Sequence, residues 1–537
     1  FRDSVRARGI PFEVASHWSM PPIRVAELIN PQLLGDAEGE NLQDFWGVGV
    51  YGKVRRPFFL SIYPGLLIAI GVATGIIRRV RGTAFFVTTA ALSILFAAGE
   101  HTPLLRWAHD AGIAGAVRYP EKFIILGIFA GIVYAARPLD ALFSGDRAVL
   151  RVARIIAAVI FAATSALALL GTTRFHEPLF RAVWRVPQGL EAGGMLAASQ
   201  SGWMRSAAAA LVLLLLLAAM PRLRRSLAIV LAGIFVVAEL GSLSTRIAPR
   251  APAAFYDPPP AVGKLPPNRD DYRVFHLAAE QRGEFADAYL RPQPDGEWLV
   301  RNAMTPYFPA AYGIRLVLGG DFDLTNLLVT DDLAAAMADF SNVSDEWVTP
   351  MAAMSNAQYV VLFRDPRLAF AEGRGEMRAV QPIEVRHAGA FPRYYFARQI
   401  VTIRDGRDLV QRLASKRHPL STAFIHEAAF TPAPARVTRV SETTQSARID
   451  VEARGRALLV MSVTPHKYWR ITIDGAETQA MVTNLGYQSV VVPAGRHVVE
   501  MRYRNPLIAA GGAVSAAALL GLLLFARRGA PRPARED

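Results

Sequence analysis

Residues 211–230 read LVLLLLLAAMPRLRRSLAIV, and they decide the fold. The aliphatic run Leu211–Leu217 belongs to the uncharged segment Ser206–Pro221. Arg222, Arg224 and Arg225 follow at once. A second apolar segment, Ser226–Ser242, then carries a single carboxylate, Glu239. A bilayer core of about 30 Å takes about 20 apolar residues in a helix, and arginine collects at the cytoplasmic ends of such helices. Two membrane spans joined by a short cytoplasmic loop account for the stretch.

The same pattern extends in both directions. Pro57–Ile77, Gly82–Gly99, Phe123–Ala136 and Ile155–Thr173 precede it, and Asn505–Ala526 closes the series. Phe123–Ala136 is short and relies on Lys122 and Arg137 reaching toward the two interfaces. Arginines mark alternate connections: Arg78, Arg79 and Arg81, then Arg137, Arg147, Arg151 and Arg154, then Arg222, Arg224 and Arg225, then Arg527 and Arg528. Those segments are expected in the cytoplasm. The loops near Glu100–Lys122 and Thr172–Arg205, with all of 243–504, are expected outside.

Composition agrees. The chain has 537 residues, of which 52% are hydrophobic and 19% charged, against about 25% charged in a typical globular domain. Mean hydropathy is +0.23. This excludes a disordered chain and argues against a soluble enzyme. There is no cysteine, so disulfides, thiolate metal sites, iron–sulfur clusters and a cysteine nucleophile are excluded. The net charge of +14 is largely a topology signal, and no nucleic-acid partner is expected. The chain opens on Phe1 without a signal-peptide pattern, so it reads as a C-terminal fragment of a longer protein.

The expected organisation follows. Residues 1–56 form an external loop of a membrane region that begins upstream. Residues 57–242 form six spans, 243–434 an external mixed α/β region, 435–504 a small antiparallel β-sandwich, 505–526 the final span and 527–537 a cytoplasmic tail. A Pro- and Ala-rich linker, Ala248–Pro267, opens the insert. Tyr272–Leu277 and Gln358–Phe363 read as strands, and Asp331–Phe340 and Met351–Ser355 as helices. From Ala435 the pattern has period two, with strands at Arg448–Ala453, Ala457–Val463, Tyr468–Ile473, Gln479–Thr483, Gln488–Val492 and His497–Tyr503. The fold class is thus a polytopic α-helical membrane protein of about seven spans with a large external α/β and β-sandwich domain. Since the last strand runs directly into the final span, the sandwich is expected near the outer interface.

The sandwich carries the most specific motif. Leu458–Thr464 (LLVMSVT), Trp469, Ile473-Asp474-Gly475, Val492–His497 (VPAGRH) and Tyr503 together resemble the YfhO family of bacterial membrane proteins. Ser19–Pro22 with Asn30-Pro31 and Gly35, the pair Gly99–Leu104 (GEHTPL) and Arg118–Phe123 (RYPEKF), and Phe391–Tyr395 (FPRYY) are similar to the family's pattern in the same order. The resemblance covers nearly the whole chain. It implies a GT-C type membrane glycosyltransferase, with a polyprenyl-phosphate sugar as donor and an envelope glycopolymer, glycolipid or protein as acceptor. It places the catalytic carboxylate in a first external loop, upstream of Phe1. The location implied is the bacterial cytoplasmic membrane, with 243–504 on the periplasmic side.

Candidate residues sit at expected outer span ends. Arg118 and Lys122 suit a lipid phosphate, because arginine binds phosphate in two-point fashion and lysine as a point charge; both residue types also serve as interface anchors. Glu100 and His101 are candidates for a general base or a metal ligand, or simply a polar helix end, and Glu121 is a further catalytic candidate. Glu239, an intramembrane carboxylate, is a functional candidate or a structural partner for Arg246. His176 and Glu177 form a possible polar site, though no HExxH accompanies them. His17 and Trp18 could contact a sugar or headgroup, or form part of an interfacial belt. Trp469 and Tyr487 could stack on carbohydrate, or pack in a core. Asp321 and Asp323 lack a calcium-loop context; no metal ligand set is assigned, while a divalent ion remains compatible with the chemistry. No cofactor is expected, and no Walker, dinucleotide or nucleophile-elbow pattern occurs. The alternative to an enzyme is a membrane accessory protein whose external domain binds glycan or a partner transferase. A transporter fits less well, given the few buried charges and the long external insert.

Overall fold

The computed structural model describes residues 3–36, 45–51, 57–113, 117–247, 251–269, 272–277, 298, 301–302, 304, 308–317, 326–333, 348–363, 383–415, 421–426 and 430–529. The chain divides into two compact units. The first contains residues 1–257, 283–300 and 376–378, and the second 258–282, 301–375 and 379–537.

The first unit is helical. Its framework is α1 (Leu66–Ile77), α2 (Thr83–Ala97), α3 (Pro103–Asp110), α4 (Ile124–Phe143), α5 (Arg147–Leu170), α6 (His176–Trp184), α7 (Gly193–Ala219) and α8 (Arg225–Ile247). Strings of Leu and Ala favour helix locally, and polar groups set the ends. Asp146 caps α5 by accepting from the Ala148 and Val149 amides at 2.8 and 3.1 Å. Arg79, in left-handed conformation at φ 49°, follows the end of α1. The last carbonyls of α7 are taken by Arg154 of α5, which donates to Leu217 O at 2.9 and 3.1 Å and to Ala218 O at 3.2 Å.

Small residues bring α5 and α7 together. Ala157, Ala210 and Leu213 are fully buried at their contact. The outward faces are apolar too: Phe129 and Val237 are 67% and 73% exposed. Apolar helices that expose this much surface suit lipid rather than water. Among the described residues, five helical stretches are long and apolar enough to cross a membrane: Pro120–Phe143, Arg147–Leu170, Gly193–Arg222, Arg225–Ser244 and Pro506–Phe525. Leu66–Ile77 and Thr83–Ala97 are apolar but shorter.

Several boundaries differ from expectation. Of Pro57–Ile77, only the part from Leu66 onward is helical, because Pro64 and a positive-φ Gly65 precede it. In contrast, α4 runs past Ala136 through Arg137 and Pro138 to Phe143. Pro138 removes one helical hydrogen bond but is buried, and Arg137 donates to Arg81 O at 3.1 Å.

The second unit is β-rich. A mixed sheet has the order β2-β1-β3-β4, built from β1 (Val274–Leu277), β2 (Leu316–Val317), β3 (Tyr359–Phe363) and β4 (Ile383–His387). The first three are parallel, and β4 runs antiparallel to β3. Helix α9 (Val348–Met354) leads into β3. The proposed helix Asp331–Phe340 lies outside the described residues beyond Leu333.

The sandwich has two sheets. One is β5-β10-β14-β13-β7-β6, from β5 (Tyr394–Phe396), β6 (Gln399–Thr402), β7 (Thr422–Ile425), β10 (Ala457–Met461), β13 (Met481–Thr483) and β14 (Tyr487–Val492). The other is β12-β11-β15-β9-β8, from β8 (Ala435–Glu442), β9 (Ser446–Ala453), β11 (Trp469–Ile473), β12 (Ala476–Glu477) and β15 (Gly495–Tyr503). The sandwich therefore reaches upstream of Ala435, and it is not wholly antiparallel. Strands β6 and β7 pair in parallel through the crossover helix α10 (Gly406–Ser415), as parallel neighbours require. Strand β10 is buried on both faces. Leu459 and Met461 face the inter-sheet core with Ile449, Val490 and Val499, while Leu458 and Val460 face a second core with Met351, Leu409 and Phe424. Asp474 and Gly475, both at positive φ, turn β11 into β12. Asp474 accepts from the Val498 amide and pairs with His497 Nδ1 at 2.6 Å. Two residues after β15, α11 (Pro506–Gly529) begins, capped by Asn505, whose side chain accepts from Leu507 N at 3.0 Å.

Replacing Arg154 by Met should uncap α7 while leaving its apolar face intact. The expected loss is about 1–2 kcal/mol, low in the range for charged hydrogen bonds because Arg154 is only partly buried. Thermal unfolding in detergent measures it, and unchanged unfolding would show the carbonyls are satisfied without Arg154.

Candidate functional site

Three segments distant in sequence form a polar cleft in the first unit. They are the stretch Phe12–Ser19, Tyr51, and the turn between α2 and α3 that carries Glu100 and His101. Arg106 of α3 and Glu13 complete the polar wall, and the cleft has a volume of about 460 Å³. Ser19 joins two of the segments: its hydroxyl donates to Ser16 O at 2.6 Å and accepts from the Glu100 amide at 2.9 Å. Met20 N donates to Ala97 O at 2.8 Å. The approach is so close that Gly99, at φ 52°, has no room for a side chain; a Cβ there would stand 2.1 Å from Ser19 Oγ.

Two bulky residues near the cleft hold left-handed backbone, Trp18 at φ 59° and Tyr119 at φ 62°. Such conformations cost of order 1–3 kcal/mol each and persist only where surrounding contacts enforce them. Here their rings meet edge to face with centroids 4.7 Å apart, and Phe58 stacks on Tyr119 at 5.5 Å. The Arg118 guanidinium lies 4.5 Å from the centre of the Tyr119 ring. Lys122 Nζ sits 4.6 Å from Tyr119 and 4.9 Å from Phe58. The aromatic faces thus hold both cations beside Trp18. Burial, followed by the positive charge of Arg118, pushes the His17 imidazole below its ordinary pKa. It is therefore neutral at neutral pH and able to accept a proton.

Glu121, a neighbour of these cations in sequence, is placed elsewhere. It is fully buried and bonded to Arg24. It also accepts from Tyr51 OH at 3.3 Å and from the Phe58 and Phe59 amides at 3.3 and 2.8 Å. Arg24 reaches Glu27 at 2.7 Å, Tyr51 OH at 2.9 Å and the Phe59 carbonyl. Glu121 is thus one arm of an internal charge network and not an acid or base open to substrate. One guanidinium faces two buried carboxylates, which leaves an excess negative charge. Burial works against the Arg24 charge, but its carboxylate neighbours outweigh that and raise its pKa. Burial, aided by Glu121 and opposed by Arg24, pushes Glu27 up to about 7. Burial also raises the Tyr51 phenol.

The remaining candidates scatter. Glu239, on α8, accepts from Tyr63 OH at 2.5 Å and the Leu66 amide at 3.2 Å, and lines a separate groove. The side chain of Arg246 lies outside the described residues. Glu177 pairs with Arg181 one helical turn on at 2.8 Å, and Arg181 also holds the Pro187 and Leu190 carbonyls. His176 packs edge-on against Phe180. These two residues therefore organise a loop, away from the cleft. Tyr487 is a core residue, 4% exposed, and cannot stack on a sugar; Trp469 packs on Tyr503 at 5.3 Å. Asp321 and Asp323 lie outside the described residues. Among the described residues no group of three or more His, Asp or Glu is gathered as metal ligands.

Glu13, Arg24, Glu27, Tyr51 and Arg106 were not singled out in the sequence. Arg24 and Glu27 stand three apart in what reads as a loop, and the Pro22–Leu28 turn they occupy is a 3₁₀ helix with no apolar period. No family model, curated protein or solved structure matches the chain.

Arg24→Met should destabilise the first unit by about 3–5 kcal/mol, because two buried carboxylates lose their cation. Glu27→Gln should be tolerated, since the amide oxygen still accepts from Arg24. Glu27 titrates at about 7 in the fold against 4.5 ordinarily. Its contribution is complete below pH 4.5 and is lost as pH rises through 7. Unfolding temperature should therefore fall between pH 5 and pH 8 in the parent, and fall less in Glu27→Gln. Equal slopes would remove Glu27 as the source.

Proposed function

We propose that this chain is a membrane glycosyltransferase of the GT-C type, similar to the YfhO family. It transfers a sugar from a polyprenyl-phosphate carrier to an acceptor in the cell envelope. The observation that carries this proposal is the polar cleft. It joins groups able to move a proton with the Trp18 ring, and outside its lining the Tyr119 ring that meets Trp18 carries two cations, Arg118 and Lys122, just before the apolar helix α4.

In the proposed reaction an acceptor hydroxyl attacks the anomeric carbon. The bond from that carbon to phosphate oxygen breaks, and polyprenyl phosphate departs. In place of the upstream carboxylate that the resemblance implies, Glu100 or neutral His17 of the cleft takes the hydroxyl proton, with His101 beside them. Trp18 offers a ring face to the sugar. Arg118 and Lys122 complement the growing phosphate charge, a form of transition-state stabilisation.

Seven spans are proposed, with α1 and α2 completed by their non-helical flanks. Residue 81 precedes α2 and residue 100 follows it. The cleft therefore falls at the end opposite Arg78, Arg79 and Arg81, which by the positive-inside rule is external. The external side is then the periplasmic face of a bacterial cytoplasmic membrane. In the second unit, β15 passes into α11 within two residues, which supports a sandwich held close to the bilayer.

The test is transfer of labelled sugar from a panel of polyprenyl-phosphate sugars in membranes containing the chain. Arg118→Ala, and whichever of Glu100→Gln and His17→Gln removes the base, should lower transfer about 10²-fold or more at equal protein level. Undiminished transfer in all three would move the chemistry out of this cleft. No chain-dependent transfer from any donor would overturn the enzyme in favour of an accessory binding role.

A further inference from the structure

A second cavity in the first unit, about 380 Å³ in volume, lies between α7, α8, Tyr63 and the segment Asn30–Gln32, and shares no lining residue with the polar cleft. This size is within the range of roughly 300–1,000 Å³ typical of small-molecule sites. The cavity is amphiphilic by position. On α7, Arg205, Ala209 and Val212 fall four and three residues apart, so they share one face. On α8, Phe235, Glu239 and Ser242 do the same. The helices are antiparallel across the short connection at 220–224. Arg205 and Glu239 therefore stand together at the end away from Arg222, Arg224 and Arg225, while Val212 and Phe235 lie deeper. One end of the groove is charged with both signs, and its walls are apolar.

Glu239 is bound only in part. Tyr63 OH and the Leu66 amide supply two donors, whereas a carboxylate offers about four acceptor positions. The Leu66 amide reaches it because Gly65, at φ 97°, turns the chain against it. A carboxylate within an apolar helix is costly to keep charged unless it is paired.

We propose that this groove binds one zwitterionic phospholipid with a primary ammonium headgroup, of the phosphatidylethanolamine class. The ammonium donates to Glu239, which has acceptor capacity left, and the phosphate lies toward Arg205. The upper part of one acyl chain follows the Ala209, Val212 and Phe235 walls. Charge complementarity selects this occupant: the ammonium answers the Glu239 carboxylate, which would repel a lipid that is only anionic. The site is independent of the glycosyltransferase proposal and stands or falls separately.

Native mass spectrometry of the full chain tests it, after delipidation and with phosphatidylethanolamine, phosphatidylglycerol and polyprenyl phosphate offered in turn. Phosphatidylethanolamine should be retained about tenfold over phosphatidylglycerol, the ratio one charge-assisted contact supplies. Glu239→Gln, which keeps an acceptor for Tyr63, should bring the two to parity. Ala209→Trp should lower retention of every lipid by filling the groove. The unfolding temperature of each preparation, matching the parent, shows that the variants are folded. Equal retention of the two phospholipids by the parent, or an unchanged preference in Glu239→Gln, would overturn the proposal. Displacement of phosphatidylethanolamine by polyprenyl phosphate would also overturn it and make the groove a donor site.

Discussion

A fully buried arginine between two buried carboxylates governs the first unit. Arg24 touches Glu27, Glu121, Tyr51 and the Phe59 carbonyl. Removing such a charge from water costs several kcal/mol unless its partners arrive with it. The 3₁₀ turn at Pro22–Leu28, the chain at Tyr51, the lead-in at Phe58–Phe59 and the start of α4 must therefore assemble together. Once Glu121 is held there, its amide donates to Trp18 O at 3.2 Å. That bond brings the left-handed Trp18 and Tyr119 against one another. The strain beside the cleft is thus sustained by a charge network that reaches the cleft wall through Tyr51.

Similar polar ties recur through the helices, for a common reason. Lipid is as apolar as leucine, so burying apolar surface between spans drives little association. Small residues at Ala157 and Ala210 permit close packing, and hydrogen bonds set which helices meet. Arg154 ties α5 to the end of α7, and Glu239 ties α8 to Tyr63 and the first turn of α1. The second unit follows the opposite economy. There β10 buries both faces, and alternate residues feed two apolar cores.

These two regimes explain what was legible beforehand. Apolar runs and arginine spacing locate α4, α5, α7, α8 and α11, because span length and flanking charge are properties of contiguous sequence. Period-two alternation locates β9 and β15, and a run of strand length locates β14, for the same reason. Of the cleft, Glu100 and His101 were visible as polar residues at a span end, and His17 and Trp18 as a loop pair; nothing local joined them. Glu121 looked like a companion of Arg118 and Lys122, yet a 3₁₀ turn points it inward while its neighbours stay with the aromatic rings. Strands β5–β7 joined the sandwich through pairing with β10 and β13, a non-local event that no alternation before Ala435 announced.

By itself the sequence determined that the chain has membrane-length apolar helices and a separate β-rich region, since hydropathy over twenty residues and alternation over six are read along the chain. The tertiary structure alone decided which charges are buried as partners and which face a cavity. Arg24 and Glu121 are 97 residues apart, and Tyr63 and Glu239 are 176 apart. Whether a carboxylate is a structural counter-ion or a reactive group depends on what the fold places within 3 Å of it, and linear spacing carries no record of that.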